Sequence, residues 1–310
     1  MRNIFVKEIE NLMEHDEKIV FLSAECGFNV VESLQEKYPE RFYNLGIAEQ
    51  SLVGTAAGVS LRGLKPVAYT MAMFLSMRAY EQIRVDVAYQ QLPVILAGVI
   101  PGLGYGNSGP THHSIEDAAI LRVLPNMTIV YPSCKTDVIA ATHQLLSLGK
   151  PSYIGLGRAP LDYQESYGIS DFTIGKALQI RDGKDAAVFT YGALLPNVVK
   201  AAEILEKKGF SIKIINMHTL KPLDTDCIDR VMSECKILIS AEEESIIGGL
   251  GGAMAEYLAE KQNKNYIFKR MGIPDTYGNV IGTQAYMHKM YHIDAHSIAE
   301  RIVELCEERQ

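Results

Sequence analysis

Two adjacent histidines, His112 and His113, close the stretch Gly102-Leu103-Gly104-Tyr105-Gly106-Asn107-Ser108-Gly109-Pro110-Thr111. Four glycines within eight residues call for backbone angles closed to other residues, or for close approach to a ligand. A capped surface loop is the structural alternative, but packing gives little reason for paired histidines there. Ser114-Ile115-Glu116-Asp117 then reads as a helix N-terminus.

Glu49 stands at the mouth of a helix that continues Ser51-Leu52-Val53-Gly54-Thr55-Ala56-Ala57-Gly58-Val59. It is either a capping acid stabilised by the helix dipole or a carboxyl in an apolar, glycine-lined setting. In the second case its pKa rises until it can donate a proton. The segment Thr70–Gln82 sets Phe74 among Met71, Met73 and Met77, after a strand and at the opening of a helix. Open α/β sheets bind ligands at that place. Such a stripe is ordinarily core, yet polarizable side chains around one aromatic also make a bed for a flat heterocycle.

These segments need a scaffold, and the hydrophobic pattern supplies one. Short β-branched runs alternate with amphipathic segments, which predicts α/β architecture with parallel sheets flanked by helices. Strands are expected at Ile19–Leu22, Pro66–Tyr69, Val94–Gly98, Thr128–Tyr131 and Tyr153–Leu156. A second series is expected at Ala186–Thr190, Ser211–Ile215, Lys236–Ile239 and Tyr266–Lys269. Ala48–Leu61 reads as a helix buried almost all round, Ala193–Lys208 as a surface helix, and Ala295–Cys306 as a closing helix. The boundary falls near Gly168–Ala177, giving two doubly wound domains, 1–170 and 171–310.

The 310 residues carry 30 Lys+Arg against 37 Asp+Glu, a net charge of −7, with no basic block. Nucleic acid and anionic membrane are therefore excluded as main partners. Five scattered cysteines without a CxxC indicate neither a disulfide framework nor a zinc knuckle. The charged N-terminus lacks a signal-peptide core, so a reduced cytoplasmic location is expected.

Together the quoted segments resemble the transketolase family. From about Glu40 to Asp137 the chain is similar to its pyrimidine-binding domain, through NLGIAEQ, MFLSMRAYEQ and GPTHHSIEDAAILRVLPNMTIVYPS. GKDAAVFTYGALLPNVVKAA and ISAEEESIIGGLGGAMAEYLAE are similar to the transketolase C-terminal domain. The resemblance implies a thiamine diphosphate enzyme that moves a two-carbon ketol unit between sugars or sugar phosphates. Glu49 falls at the family's catalytic glutamate, which hydrogen-bonds the aminopyrimidine N1′ and favours the 4′-imino tautomer that deprotonates the thiazolium C2. Phe74 falls at the aromatic that stacks on the pyrimidine, with Met71 and Glu25 at further cofactor-pocket positions. His112 matches a catalytic histidine that hydrogen-bonds donor-sugar oxygens. Ser108 and Arg158 fall at substrate-binding positions, the arginine at one that grips a phosphate.

The sequence also departs from the family. Ser108 replaces an aspartate that contacts the sugar 2-hydroxyl. Ile100 stands where a phosphate-binding histidine is usual, and Pro101 where deoxyxylulose-phosphate synthases have arginine. Glu25 replaces aspartate, and Met71 replaces an aromatic. The Gly-Asp-Gly and Asn-Asn pair that holds the diphosphate's Mg²⁺ (or Ca²⁺) occurs nowhere. The resemblance therefore implies a split enzyme in which a partner chain carries the diphosphate domain and metal. A heterotetramer of two such chains and two partners is expected. A deoxyxylulose-phosphate-synthase-like chain, a 2-oxoacid dehydrogenase beta-type chain and a regulatory chain without chemistry are the alternatives.

Two further patterns carry weaker signals. His288, His292 and His296 recur every four residues, but Ile293-Asp294 reads as a helix start between them, so no metal site is assigned. Gly248-Gly249-Leu250-Gly251-Gly252 faintly resembles a dinucleotide loop, but Glu242, Glu243 and Glu244 just upstream would repel a pyrophosphate.

Overall fold

Ile19–Ser23, Ile95–Val99 and Ser152–Leu156 are buried along their whole length, as strands covered by helices on both faces must be. The computed structural model describes residues 1–158, 168–262, 265–277 and 281–308. Its first half contains helices α1 (Arg2–Met13), α2 (Glu32–Lys37), α3 (Glu49–Leu61), α4 (Ala72–Arg78), α5 (Tyr80–Gln82), α6 (Asp117–Arg122) and α7 (Lys135–Leu148). The strands there are β1 (Ile19–Ser23), β2 (Phe42–Asn44), β3 (Lys65–Met71), β4 (Ile95–Val99), β5 (Thr128–Val130) and β6 (Ser152–Leu156).

The second half adds β7 (Leu178–Arg181), β8 (Ala186–Thr190), β9 (Ile212–Asn216), β10 (Thr219–Lys221), β11 (Ile237–Ser245) and β12 (Ile267–Ile273). Its helices are α8 (Leu195–Glu206), α9 (Thr225–Glu234), α10 (Leu250–Ala259), α11 (Gln284–Met290) and α12 (Ala295–Glu307). The first sheet has the order β10-β5-β6-β4-β3-β1-β2 and the second β12-β11-β8-β9-β7. All pairings are parallel except β10 with β5 and β7 with β9. The architecture is α/β with two mainly parallel sheets.

Alternation along the strands sorts side chains to opposite faces. Ile19 and Phe21 of β1 pack with Phe5, Ile9 and Val138 from α1 and α7, while Val20 and Leu22 pack with Leu52 and Leu75 from α3 and α4. The second cluster runs on into the other sheet through Phe189, Ile215 and Leu238, so one core serves both halves. β10 strengthens that union: it follows β9 of the second sheet yet pairs with β5 of the first.

One expectation is corrected. Helix α3 is not buried all round; Leu52, Val53, Ala56 and Ala57 are covered, whereas Ser51, Thr55, Gly58 and Leu61 are exposed. Its apolar composition reflects a second face that nothing among the described residues covers. No helix among the described residues is long and apolar enough to cross a membrane.

Candidate active site

Every expected site residue lies at or beyond the C-terminal end of a strand of the first sheet, where such sheets place ligands. Glu25 follows β1, and Glu49 follows β2 as the first residue of α3. Met71 ends β3, with Phe74 in the first turn of α4. Ser108 and His112 ride the long loop after β4, and Arg158 follows β6.

The entry to Glu49 is fixed by its neighbours. The Asn44 side chain accepts hydrogen bonds from the backbone N–H groups of Glu25 and Gly46, both at 3.0 Å, and donates to Glu25 Oε2 at 2.9 Å. Leu45 N–H donates to the Ser23 carbonyl at 2.8 Å. The turns after β1 and β2 are thereby stapled together, with Glu25 held at φ 44°, a strained angle for a non-glycine residue. Glu49 emerges from this staple only 5 % exposed. Its carboxyl makes no hydrogen bond or ion pair with any other described residue, and α3 carries no side-chain cap bond. Neither oxygen is among the fully sealed unpartnered atoms, so the carboxyl of this otherwise buried residue keeps an opening through which a ligand's donor can reach it.

Phe74 and His112 meet edge to face, ring centroids 5.6 Å apart at 71°. Tyr105 meets His112 from another side at 6.1 Å. Phe74 is half-buried and Met77 is 38 % exposed, so this stripe is not interior core. His112 Nδ1 lies 2.9 Å from the Thr111 hydroxyl. Its neighbour His113 is buried against the Gly106 carbonyl, and burial holds its pKa below the usual imidazole value. Arg158 is exposed and donates to the Gly104 carbonyl at 3.4 Å, which brings it to the same loop. Ser108 is exposed in a tight turn where its N–H bonds the Tyr105 carbonyl at 2.8 Å. Among the described residues no hydrogen bond or ring contact joins Glu25, Met71 or Ser108 directly to the Phe74–His112 pair.

The loop leaves β4 through Ile100 at φ 57°, unfavourable for a β-branched residue and of a kind that persists where surrounding structure over-determines it. Asp117 is not a solvent-facing acid of the next helix. It is fully buried and accepts from Ser114, Tyr131 and Tyr153 hydroxyls at 2.9, 2.9 and 2.5 Å.

Comparison with known proteins decides what this edge belongs to. "Transketolase, pyrimidine binding domain" matches residues 1–162, and "Transketolase, C-terminal domain" matches residues 175–298. The chain belongs to the transketolase family. The putative transketolase C-terminal section of Methanocaldococcus jannaschii is 34% identical over 307 residues, covering 98% of this chain and 95% of that relative. An apulose-4-phosphate transketolase subunit of Actinobacillus succinogenes is 35% identical over 308 residues, 98% of each chain. A 1-deoxy-D-xylulose-5-phosphate synthase of Halothermothrix orenii is 32% identical over 99% of this chain, which spans 48% of that relative. Among solved structures, "Split gene transketolase, inactive beta4 tetramer" superposes with TM-score 0.88 at 32% identity, covering 98% of this chain and 97% of that one.

As a transketolase-family chain it belongs among thiamine diphosphate-dependent enzymes. Its residues fit that cofactor's pyrimidine half: a buried carboxyl without a partner and a half-exposed phenylalanine stand on one sheet edge. Two neighbours had no role assigned from sequence. The Arg78 guanidinium lies 5.2 Å over the Phe74 ring, and Tyr105 walls His112. The spacing of Phe74 and Arg78, four residues apart on one helix, was the available signal for the first. His288, His292 and His296 share no helix face; they lie on α11, in the following turn and on α12.

Proposed function

We propose that this chain is the beta-type subunit of a two-chain, thiamine diphosphate-dependent transketolase that transfers a two-carbon ketol unit between sugars or sugar phosphates. The observation that carries the reading is Glu49, a buried carboxyl without a partner among the described residues, at the edge of a sheet whose α3 leaves one face uncovered. Phe28 in the turn after β1, Tyr43 in β2 and Ile47 in the turn before α3 are 84, 47 and 80 % exposed. An apolar rim of this kind around an unpartnered carboxyl suits closure by a second chain.

Thiamine diphosphate, when bound, supplies the thiazolium carbon that stabilises the transferred carbanion. Glu49 holds a proton at the aminopyrimidine N1′, and Phe74 offers a ring face to the pyrimidine, with Met71 and Glu25 bordering it. His112 and Ser108 bind donor hydroxyls, and His112 steadies the proton positions at the reacting carbon. Arg158 binds a substrate anion. Mg²⁺ (or Ca²⁺) and the diphosphate belong to the partner chain, which carries Gly-Asp-Gly and Asn-Asn, in a heterotetramer of two chains of each kind. Domains 1–170 and 171–310 describe the chain within that assembly. The similarity to deoxyxylulose-phosphate synthases supports a second reading, condensation with a pyruvate-derived unit. Pro101, where those enzymes have arginine, weighs against it.

The experiment mixes the chain with a partner carrying Gly-Asp-Gly and Asn-Asn, thiamine diphosphate and Mg²⁺. The expected result is no ketol transfer by either chain alone and transfer on mixing. Transfer by this chain alone refutes the split reading; turnover of pyruvate but not of ketoses favours the second.

A further inference from the structure

The loop that carries His112 is gripped from the other half of the chain. Its base closes as a small antiparallel bridge, Gly102 N–H to Ser114 O at 2.6 Å and Ser114 N–H to Gly102 O at 3.0 Å. Just inside that bridge, Leu103 N–H donates to Glu243 Oε1 at 3.2 Å, across 140 residues of sequence. At the loop's exit, Ser245 N–H donates to the Ile115 carbonyl at 2.8 Å. Both ends of the loop are thus tied to the end of β11.

Glu243 is itself held in place. The Gln284 amide donates to its two oxygens at 2.7 and 3.0 Å, and His288 Nε2 lies 2.8 Å from Oε1. Asn197 Nδ2 donates to the Ile293 carbonyl, which orients that amide to donate also to His288 Nδ1 at 2.9 Å. His288 Nδ1 therefore accepts, and Nε2 carries the ring hydrogen toward Glu243. Both side chains of the pair are almost fully buried. A small apolar cluster of Leu103, Ile115, Ile273 and Met287 joins the two halves beside them. Gly282 N–H adds a bond to the Gly106 carbonyl at 3.3 Å.

We infer that Glu243, backed by His288 and Gln284, is a positioning residue for the His112 loop, so the second domain orients a substrate-binding side chain. The inference rests on the reading of His112 given above. Glu243 touches no reacting atom; it sets where the loop begins. A carboxylate accepting from three donors over-determines that point, and small displacements of a substrate-binding group are costly to turnover.

The test uses Glu243→Gln, which keeps the shape but removes the charge and one acceptor oxygen. Hydrogen exchange of the full chain alone should show amides 103–114 exchanging at least ~10-fold faster, with α3 and α4 unchanged. In the reconstituted pair, kcat should fall about 10- to 100-fold with thiamine diphosphate Kd within about twofold of the parent. His288→Gln, which retains an N–H donor, should stay near the parent, whereas His288→Leu should follow Glu243→Gln. If Glu243→Gln does not fold, His288→Leu against His288→Gln carries the test. Unchanged loop exchange, or faster exchange with unchanged kcat, overturns the inference. A parent pair that transfers no ketol unit refutes the functional reading instead, and the exchange result reports separately on the loop tether.

Discussion

Glu49→Gln separates the two meanings of a carboxyl at a helix mouth. If Glu49 only stabilises the dipole of α3, the substitution costs about 0.3–1 kcal/mol of folding free energy. That shifts the unfolding temperature by a few degrees at most, on the order of 2–4 °C per kcal/mol for a chain of this size class. The structure allows no larger loss, because no hydrogen bond or ion pair to a described residue is broken. If Glu49 holds the proton at the cofactor's pyrimidine, turnover falls by about 10²–10⁴. At about 1.4 kcal/mol per decade, that is roughly 3–5 kcal/mol of transition-state stabilisation. Circular dichroism melts of the chain and a coupled ketol-transfer assay of the pair measure both quantities. A near-parental melting temperature with turnover down at least about a hundredfold is the expected pair of results. Glu49→Ala should lose turnover likewise. Turnover within about threefold of the parent refutes the acid–base role outright. A large fall in stability that accounts for all lost activity refutes the inference drawn from its missing partner.

Other perturbations probe the surroundings. Phe74→Ala should weaken thiamine diphosphate binding by about 1–3 kcal/mol, the usual worth of an aromatic face to a stacked base, read by calorimetry of the assembled pair. Binding unchanged would show that the heterocycle does not use this ring. Glu244 is buried, with Oε2 unpartnered, and burial beside Asp117, Glu242 and Glu243 holds its pKa well above the usual carboxylate range. Its folded pKa exceeds its unfolded one, so its contribution to stability is full below the unfolded value and declines as pH rises toward the folded one. The slope is about 1.4 kcal/mol per pH unit. Glu244→Gln should flatten the fall in urea midpoint between pH 5 and 8. A residual slope remains from Glu242, which burial raises to about 7. An unchanged slope would refute the assignment. Arg122 binds Glu256 through two nitrogens at 2.6 and 2.7 Å and the Gly248 carbonyl at 2.8 Å. Arg122→Ala should cost about 1–2 kcal/mol by urea denaturation, discounted because the Glu256 side chain is 65% exposed. Glu256→Gln should cost less, since the Gly248 carbonyl keeps its donor.

Strands buried on both faces were the easiest elements to read. Ala186–Thr190 was expected and found, and Ile19–Leu22 lengthened by one residue to Ser23. The expected Lys236–Ile239 fell short because β11 runs on to Ser245 through three buried glutamates, residues that composition argues out of a strand. β2 and β10 are three-residue strands, too short for any period, and the place of β10 is fixed only by a tertiary pairing. Helix α1 buries Phe5, Ile9 and Met13 behind a row of charges that hid its apolar face. Glu49, Phe74 and His112 were legible because each follows a strand, so local spacing and sheet topology deliver them to one edge. Glu243 was not, because its link to Leu103 spans 140 residues and exists only in the folded chain.

The three consecutive glutamates show why the second half is more than a mirror of the first. Glu242 accepts from Leu250 N–H at 2.7 Å and Gly251 N–H at 2.8 Å, filling the N-terminus of α10. That is where a phosphate would sit in a dinucleotide loop, so the glycine run Gly248–Gly252 is occupied from within. Glu243 reaches the other way to the His112 loop, and Glu244 lies beside Asp117, a residue of the first half. Two of the three carboxyls are therefore satisfied inside the chain. The third, sealed 2 % exposed among other acids, has its pKa pushed up by burial and by those neighbours, which favours its protonated form. Glu49 has no donor among the described residues. It shares the burial of these glutamates, but it follows the edge strand β2 and comes two residues after the exposed Ile47 rather than standing in the interior. A buried carboxyl is structural where the chain itself completes its surroundings; at an open rim a ligand or second chain can complete them, and the paired melting and turnover measurements on Glu49→Gln decide which kind of carboxyl Glu49 is.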